Sequence, residues 1–275
     1  MRIAIYYRNE RTGDNPRVKH LLERLSTAGV ELLSIDENCR AKDIEGKVDI
    51  VLALGGDGTF LRAVRSIEHL QIPIAGINFG KLGFLTTAKV NNGENRWIND
   101  IIEGKYSVED RILIKMDSLA IPQGFYPYSL NEVYIQRKSP SMLQLDIWID
   151  NKKLPTYWAD GLIVATPTGS TAYSLSLGGP VVVPSAKVFI ITPIAPHNLS
   201  IRPIVISADS KLKISFTSRS KSAIVYMDNR SFEAPSGTKI ELSMGDYSAK
   251  YVSLGNMSFI NALSDKLLWG EDNRN

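Results

Sequence analysis

Cysteine is nearly missing from this chain: Cys39 is the only one among 275 residues. A single thiol excludes an internal disulfide framework and suits a reducing cytosol, so a cytoplasmic protein is expected. Histidine is scarce too, with three residues, and no Cys/His pattern has zinc-ligand spacing. There is no serine nucleophile elbow and no acidic EF-hand loop. The N-terminus, MRIAIYYRNE, reads as a strand too brief for the core of a signal sequence. No apolar run approaches the length needed to cross a bilayer, so no membrane partner is expected. Charge of one sign never forms a block: the net +3 is spread along the chain, and composition offers no nucleic-acid footprint. With 44% hydrophobic and 22% charged residues, the length suffices for one large domain or two modest ones, each with its own core.

What is present changes character near residue 105. Before it, IAIYY (3–7), VELLSI (30–35), DIVLAL (49–54) and IPIAGI (72–77) read as buried strands. PRVKHLLERLSTAG (16–29) begins with a proline, repeats Val18, Leu21, Leu22 and Leu25 at helical spacing, and stops at Gly29. Phe60, Leu61, Val64 and Ile67 mark one face of a further helix. Strand–helix alternation of this kind implies a parallel sheet covered by helices. After residue 105 come short strands broken by Gly, Pro, Ser or Asn, with LQLDIWID (143–150) alternating before a turn at NKK. That spacing points to an antiparallel sandwich. The tail FINALSDKLLW (259–269) returns to a helix with Phe259, Leu263, Leu267 and Leu268 on one side. A lone terminal helix must bury that side, and packing on the first domain is expected. The expected domains are 1–104 joined by the tail 251–275, and 105–250. A close interface between two such domains would favour a ligand cleft.

The most unusual stretch is VDIVLALGGDGTFLRAVRSI (48–67). In an open α/β sheet, ligands bind outside the carboxyl ends of the strands, which is where Gly55–Gly58 fall. Gly56 and Gly58 leave backbone N–H groups uncovered for a phosphate. Asp57 is the odd member, because a carboxylate beside a phosphate is repulsive. The cost is tolerable if Mg²⁺ lies between them or if the acid must take a proton from a nucleophile, and phosphoryl transfer calls for both. The plainer reading is that Asp57 caps the helix that follows. No Gly-Lys-Ser/Thr follows, so this is not a P-loop, and the GxGxxG fingerprint is absent. Arg62, one turn on, either reaches a phosphate or is a solvated helix charge.

A second cluster, ADGLIVATPTGSTAYSLSLGGP (159–180), sets Thr166, Thr168, Ser170, Thr171, Ser174 and Ser176 among Gly and Ala around Tyr173. Small hydroxyls suit the hydroxyls and amide edges of a nucleoside, and a tyrosine face suits a base. The alternative is an ordinary Ser/Thr-rich loop with a short helix ended by Gly178 and Gly179. Asp160 is a turn residue or a ligand contact on equal terms. Asn131 and Glu132 form either a turn or a grip for a ribose diol or metal. His197 has no partner at nucleophile or metal-ligand spacing and reads as structural.

Taken together these segments resemble the NAD kinase family. The resemblance rests on GGDGTFL (55–61), GINFGKLGFLT (76–86), NE (131–132), DGLIVATPTGSTAYSLSLGGP (160–180) and PHNLSIRPIV (196–205). They stand in the family's order and spacing over essentially the whole chain. GGDG is shared with lipid kinases and phosphofructokinases, whereas TPTGSTAY after DG is far more specific. The resemblance implies a Rossmann-like α/β domain, a β-sandwich-like domain and a C-terminal helix returning to the first. It implies phosphorylation of the adenosine ribose 2′-hydroxyl of NAD by ATP or polyphosphate, with Asp57 as general base. It places Gly56 and Gly58 at the phosphates and Phe84 near the adenine. Asn131 and Glu132 would hold ribose hydroxyls, and Asp160 the nicotinamide end. Thr168, Thr171, Ala172, Tyr173, Ser174, Leu175, Ser176 and Ala195 would line or adjoin the adenine–ribose pocket. Mg²⁺ would be held mainly through the donor phosphates, with no protein residue assigned as a metal ligand. A homo-oligomer, dimer or tetramer, is expected.

The chain departs from the family pattern twice. Trp158 stands where a basic residue is common, two places before the DG aspartate, and offers an aromatic face instead. In the late hairpin, Asp228, Asn229 and Arg230 replace Asp-Gly-Gln. Asn229 tolerates the left-handed turn conformation, and Arg230 would present a charge toward the dinucleotide phosphates. Two other functions fit parts of the pattern: a lipid or sphingoid kinase sharing GGDGT, and a non-catalytic NAD(P) sensor. The uncharged hydroxyl-rich segment speaks against the first, and the intact Asp57 against the second.

Overall fold

The computed structural model describes residues 1–8, 10–80, 83–90, 96–255 and 259–267. The chain divides into two compact units, Met1–Asp110 with Ala249–Asn275, and Arg111–Ser248. The strand Lys239–Ser253 begins in the second unit and ends in the first.

The first unit is α/β. Its sheet is parallel: Arg2–Tyr6 has Glu31–Ile35 on one side and Ile50–Leu54 on the other, and Ile74–Asn78 follows beyond Ile50–Leu54. Every residue of Ile50–Leu54 is buried, as a continuous apolar run demands of a strand covered on both faces. The helix Pro16–Thr27 starts with its proline in the first turn and with Asn15 accepting the Arg17 N–H at 2.9 Å. It buries Val18, Leu21 and Leu25. Chain order matters here. Arg2–Tyr6 leads outward to one neighbour and Ile50–Leu54 to the other, so the junction between these two central strands is the topological switch point. The tail helix Phe259–Leu267 belongs to this unit, buries Leu263, and sets Phe259 against Phe84 with ring centroids 6.5 Å apart. Leu268, expected on the same side, lies outside the described residues.

The second unit is all-β. Six antiparallel strands form one sheet in the order Ile204–Ser207, Val188–Ile194, Gly161–Ala165, Glu132–Arg137, Ser222–Met227 and Arg230–Pro235. In the other layer Leu143–Ile149 pairs with Leu212–Thr217, which pairs with the start of Lys239–Ser253. Leu143, Leu145 and Ile147 point inward and their neighbours outward, matching the alternation in LQLDIWID. Phe189, Phe216, Val164 and Val225 share this core. The turn after Ile149 is a two-residue hairpin with Asp150 and Asn151 both left-handed, at φ 48° and 67°.

Candidate functional site

In the first unit, Gly55 has φ 155° and lies so close to Thr59 that a Cβ would strike its hydroxyl. The helix Asp57–Ile67 follows at once, with Gly56 as its N-cap. Asp57 is therefore the first helical residue and not the cap. Its carboxylate leaves its own helix and receives N–H bonds from a distant turn: Phe84 N at 2.8 Å to Oδ2 and Leu85 N at 3.1 Å to Oδ1. Each oxygen keeps a further lone pair free to accept a hydroxyl proton. Gly83 is obligatory, because a methyl there would occupy the place of the Asp57 carboxyl. Gly83 in turn donates its N–H to Thr86 Oγ1 at 2.5 Å. Arg62 pairs with Glu37, Nη1 to Oε2 at 3.4 Å, which favours the surface-charge reading of that side chain. The Phe84 ring, expected near an adenine, is engaged by the tail helix: Lys266 Nζ sits 4.3 Å from its centroid.

In the second unit, Asn131 and Glu132 open the strand Glu132–Arg137. Three successive N–H groups, of Leu130, Asn131 and Glu132, donate to the buried Asp228 carboxylate at 2.9, 2.8 and 3.2 Å. The segment Thr166–Tyr173 is docked on this turn. Thr166 N donates to Asn131 O at 2.9 Å, and Thr166 Oγ1 donates to Leu130 O at 2.5 Å. Gly169 lies so close beneath Asn131 that no side chain fits. Asn131 Oδ1 and Glu132 Oε2 are buried without a hydrogen-bond partner. Orphaned acceptors of this kind cost about 1 to 3 kcal/mol each unless a ligand's donors meet them.

Burial pushes the Glu132 carboxyl up to about 8, with the neighbouring Asp228 as a second cause. Burial raises Asp228 as well, but its three N–H bonds oppose the rise. With its value at about 8, the Glu132 carboxyl is mainly protonated at neutral pH. Because the folded-state value lies above the unfolded one, this carboxyl weakens the fold progressively as pH rises from about 4.5 to about 8. Glu132→Gln is expected to remove that dependence. Its Tm should match wild type near pH 4 and exceed it at pH 8, by an amount corresponding to roughly 2 to 4 kcal/mol. Parallel Tm–pH curves for the two proteins would refute the assignment.

The remaining candidates separate. The short helix Tyr173–Ser176 turns Ser174 inward, where its Oγ meets Thr192 Oγ1 at 3.4 Å, and leaves Ser176 exposed. Ser174 thus packs its hydroxyl against the strand Val188–Ile194. Thr168, Thr171, Ala172 and Leu175 stay on or beside the docked segment, and the Thr171 hydroxyl donates to Thr168 O at 3.3 Å. The Tyr173 ring meets Tyr134 edge-on at 5.3 Å, and Tyr134 stacks on Tyr226 at 4.3 Å. Trp158, Asp160 and Ala195 gather at the opposite end of the strand Gly161–Ala165. There Asp160 N donates to Ile194 O at 2.9 Å and His197 N to Trp158 O at 2.8 Å. Ala195 is left-handed, at φ 44°. Ala165 faces Glu132 across the sheet, so Asp160 lies roughly 17 Å from that turn along the strand. Asp160 is also paired, its Oδ1 lying 2.6 Å from Arg137 Nε.

Arg230 has partners within the second unit. Its guanidinium donates to the carbonyls of Tyr126 and Tyr128 at 2.6 and 2.7 Å and lies over the Phe125 and Tyr126 rings. Two nitrogens of its planar fork are thereby engaged by protein carbonyls. In the same hairpin the left-handed residue is Asp228, at φ 51°, and not Asn229. Sequence reasoning missed the approach of Gly83 to Asp57, the anchoring role of Asp228 and the Tyr134–Tyr226 stack. Gly83 lay inside GINFGKLGFLT, and nothing in its spacing revealed the Asp57 approach.

No group of three or more His, Cys, Asp or Glu among the described residues could hold a metal ion, and no helix among them is long and apolar enough to cross a membrane. Comparison with known proteins gives matches over both units. Residues 7–106 match the family model of the ATP-NAD kinase N-terminal domain, and residues 130–254 that of the C-terminal domain. An NAD kinase of Christiangramia forsetii is 37% identical, with all of both chains covered. One from Bacteroides fragilis is 43% identical over 82% of this chain and 78% of its own. Among solved structures, an Archaeoglobus fulgidus NAD kinase in complex with ATP superposes with a TM-score of 0.80 at 30% identity, covering 98% of this chain and 99% of its own. A yeast NADH kinase complexed with NADH, 23% identical, shares the fold with a TM-score of 0.82 over 100% of this chain and 89% of its own.

Proposed function

The chain belongs to the NAD kinase family, and on that premise we propose that it transfers a phosphoryl group from ATP to the adenosine ribose 2′-hydroxyl of NAD, giving NADP. The observation that carries the mechanism is the Asp57 carboxylate, fixed at the switch point by the Phe84 and Leu85 N–H groups. Held at two points, it keeps a lone pair on each oxygen for the ribose hydroxyl. Such a placed base contributes roughly two to four powers of ten in rate. Gly56 and Gly58 put the helix N-terminus and uncovered backbone next to the donor phosphates.

Mg²⁺ would supply charge neutralisation on the donor phosphates. One carboxylate and backbone N–H groups, with no cluster of metal-binding side chains among the described residues, suit a metal delivered with the nucleotide. On the acceptor side, the orphaned Asn131 Oδ1 and Glu132 Oε2 are placed to accept from vicinal ribose hydroxyls. The Asp160 end of the strand suits the far, nicotinamide part of an extended dinucleotide. Assembly into a dimer or tetramer belongs to the same reading and rests on the family resemblance, and a cytoplasmic location rests on the single thiol.

The direct test is NADP formation from NAD and MgATP, run beside a lipid alcohol acceptor and beside NAD binding without ATP. Production of NADP supports the reading. Binding of NAD(P) without product, or phosphate transfer to the lipid instead, would overturn it. Within the acceptor pocket, Tyr173→Ala removes a ring that packs edge-on to Tyr134. A loss of about three- to tenfold in NAD affinity by titration is expected, and unchanged affinity would take Tyr173 out of the pocket.

A further inference from the structure

The loop Gly55–Gly58 contains no cation of its own. Phosphate loops that end in lysine place a full positive charge beside the transferred group, whereas glycine N–H groups and a helix N-terminus provide only about half a charge. Phosphoryl transfer draws its main stabilisation from charge held ready for the transition state. A full cation nearby would supply the charge that the loop lacks.

Lys266, in the last turn of the tail helix, answers that description. Its Nζ lies over the Phe84 ring, 4.3 Å from the centroid, and the N–H of the same Phe84 binds the Asp57 carboxylate at 2.8 Å. Phe259, at the start of the same helix, packs on the same ring. The tail helix thus straddles Phe84 at both of its ends. Lysine normally keeps its amine in water, and neighbouring Ser264 and Asp265 are exposed, yet Lys266 is drawn in. Burial holds its amine below the ordinary lysine value, while Asp57 and Asp265 oppose that shift. A residue serving only to pin the helix would gain little by this, since partly exposed ion pairs are worth under about 1 kcal/mol.

We propose that Lys266 is the cation that binds and neutralises the donor's transferred phosphate at the glycine loop, with the Phe84 ring face holding its side chain toward Asp57. The assignment rests on the kinase reading above. It adds a residue from the far C-terminal helix to the phosphate site built by residues 55–58.

The test compares Lys266→Met and Lys266→Arg with wild type by steady-state kinetics, pH profile, Tm and titration with a non-hydrolysable ATP analogue. Lys266→Met should lower kcat/KM for ATP and weaken analogue binding by about tenfold or more, with KM for NAD and Tm nearly unchanged. Lys266→Arg should restore most of the loss. Because the lysine gives up its proton below its usual range, wild type should lose activity as pH rises toward that value, and the arginine variant should hold activity to higher pH. Unchanged analogue affinity in Lys266→Met, or coincident high-pH limbs for lysine and arginine, would overturn the proposal. So would a loss confined to Tm. If wild type made no NADP, the kinase reading would fall, and the analogue titration would still decide whether Lys266 binds phosphate.

Discussion

Replacing Asp57 with asparagine is expected to lower kcat for NADP formation at least about a hundredfold, with little change in NAD binding. Asparagine has nearly the same shape and its oxygen can still accept one of the two N–H bonds from Phe84 and Leu85. Its amide nitrogen cannot accept the other, nor can the side chain take a proton. The contrast is therefore between anchoring, which is half retained, and base catalysis, which is lost outright. Kinetics together with NAD titration separate the two. A variant with near-normal kcat would mean that the carboxylate only fastens the Gly83–Thr86 turn to the helix Asp57–Ile67, and the proposed mechanism would fail.

Gly83→Ala should be comparably damaging without touching a reacting group. The new methyl would fall on the Asp57 carboxyl, so either the acid rotates away or the turn carrying Phe84 N and Leu85 N withdraws. Both outcomes displace the base by an ångström or more, and misplacement on that scale costs about a hundredfold in rate. Overpacking adds about 1 to 3 kcal/mol of destabilisation, so Tm must be measured alongside kcat. Gly80→Ala is the control: its Cβ would meet nothing nearer than Asn78 Oδ1 at 3.8 Å, and near-normal turnover is expected. If Gly83→Ala kept normal kcat, the turn would be yielding and the position of Asp57 would not depend on it.

The parts of the fold that were legible from the chain are those governed by local periodicity. A five-residue buried run such as Ile50–Leu54 has no choice but a covered strand, and the proline, apolar spacing and terminal glycine around Pro16–Thr27 specify a helix with its ends. LQLDIWID alternates because one of its faces is core. The glycine loop was legible for a related reason: three glycines about one acid, between strand and helix, are costly in backbone entropy unless something must come close. The packing of Tyr173 on Tyr134 was not legible. For Arg230 the charge is visible in the chain, whereas its Tyr126 and Tyr128 carbonyl partners, about a hundred residues earlier, are not. The inward turn of Ser174 is hidden too, because composition does not say which side of a single helical turn faces inward.

Strand and helix identity, the change from an α/β to an all-β pattern, and the place of the glycine loop all follow from neighbours within a few positions, where backbone torsions and side-chain spacing act directly. The partners of Asp57, the anchoring of Asn131 and Glu132 by Asp228, the raised Glu132 carboxyl and the inward turn of Lys266 depend on residues tens to hundreds of positions apart. Those distances close only when the cores form, because hydrogen bonding and desolvation respond to separation in space and not along the chain.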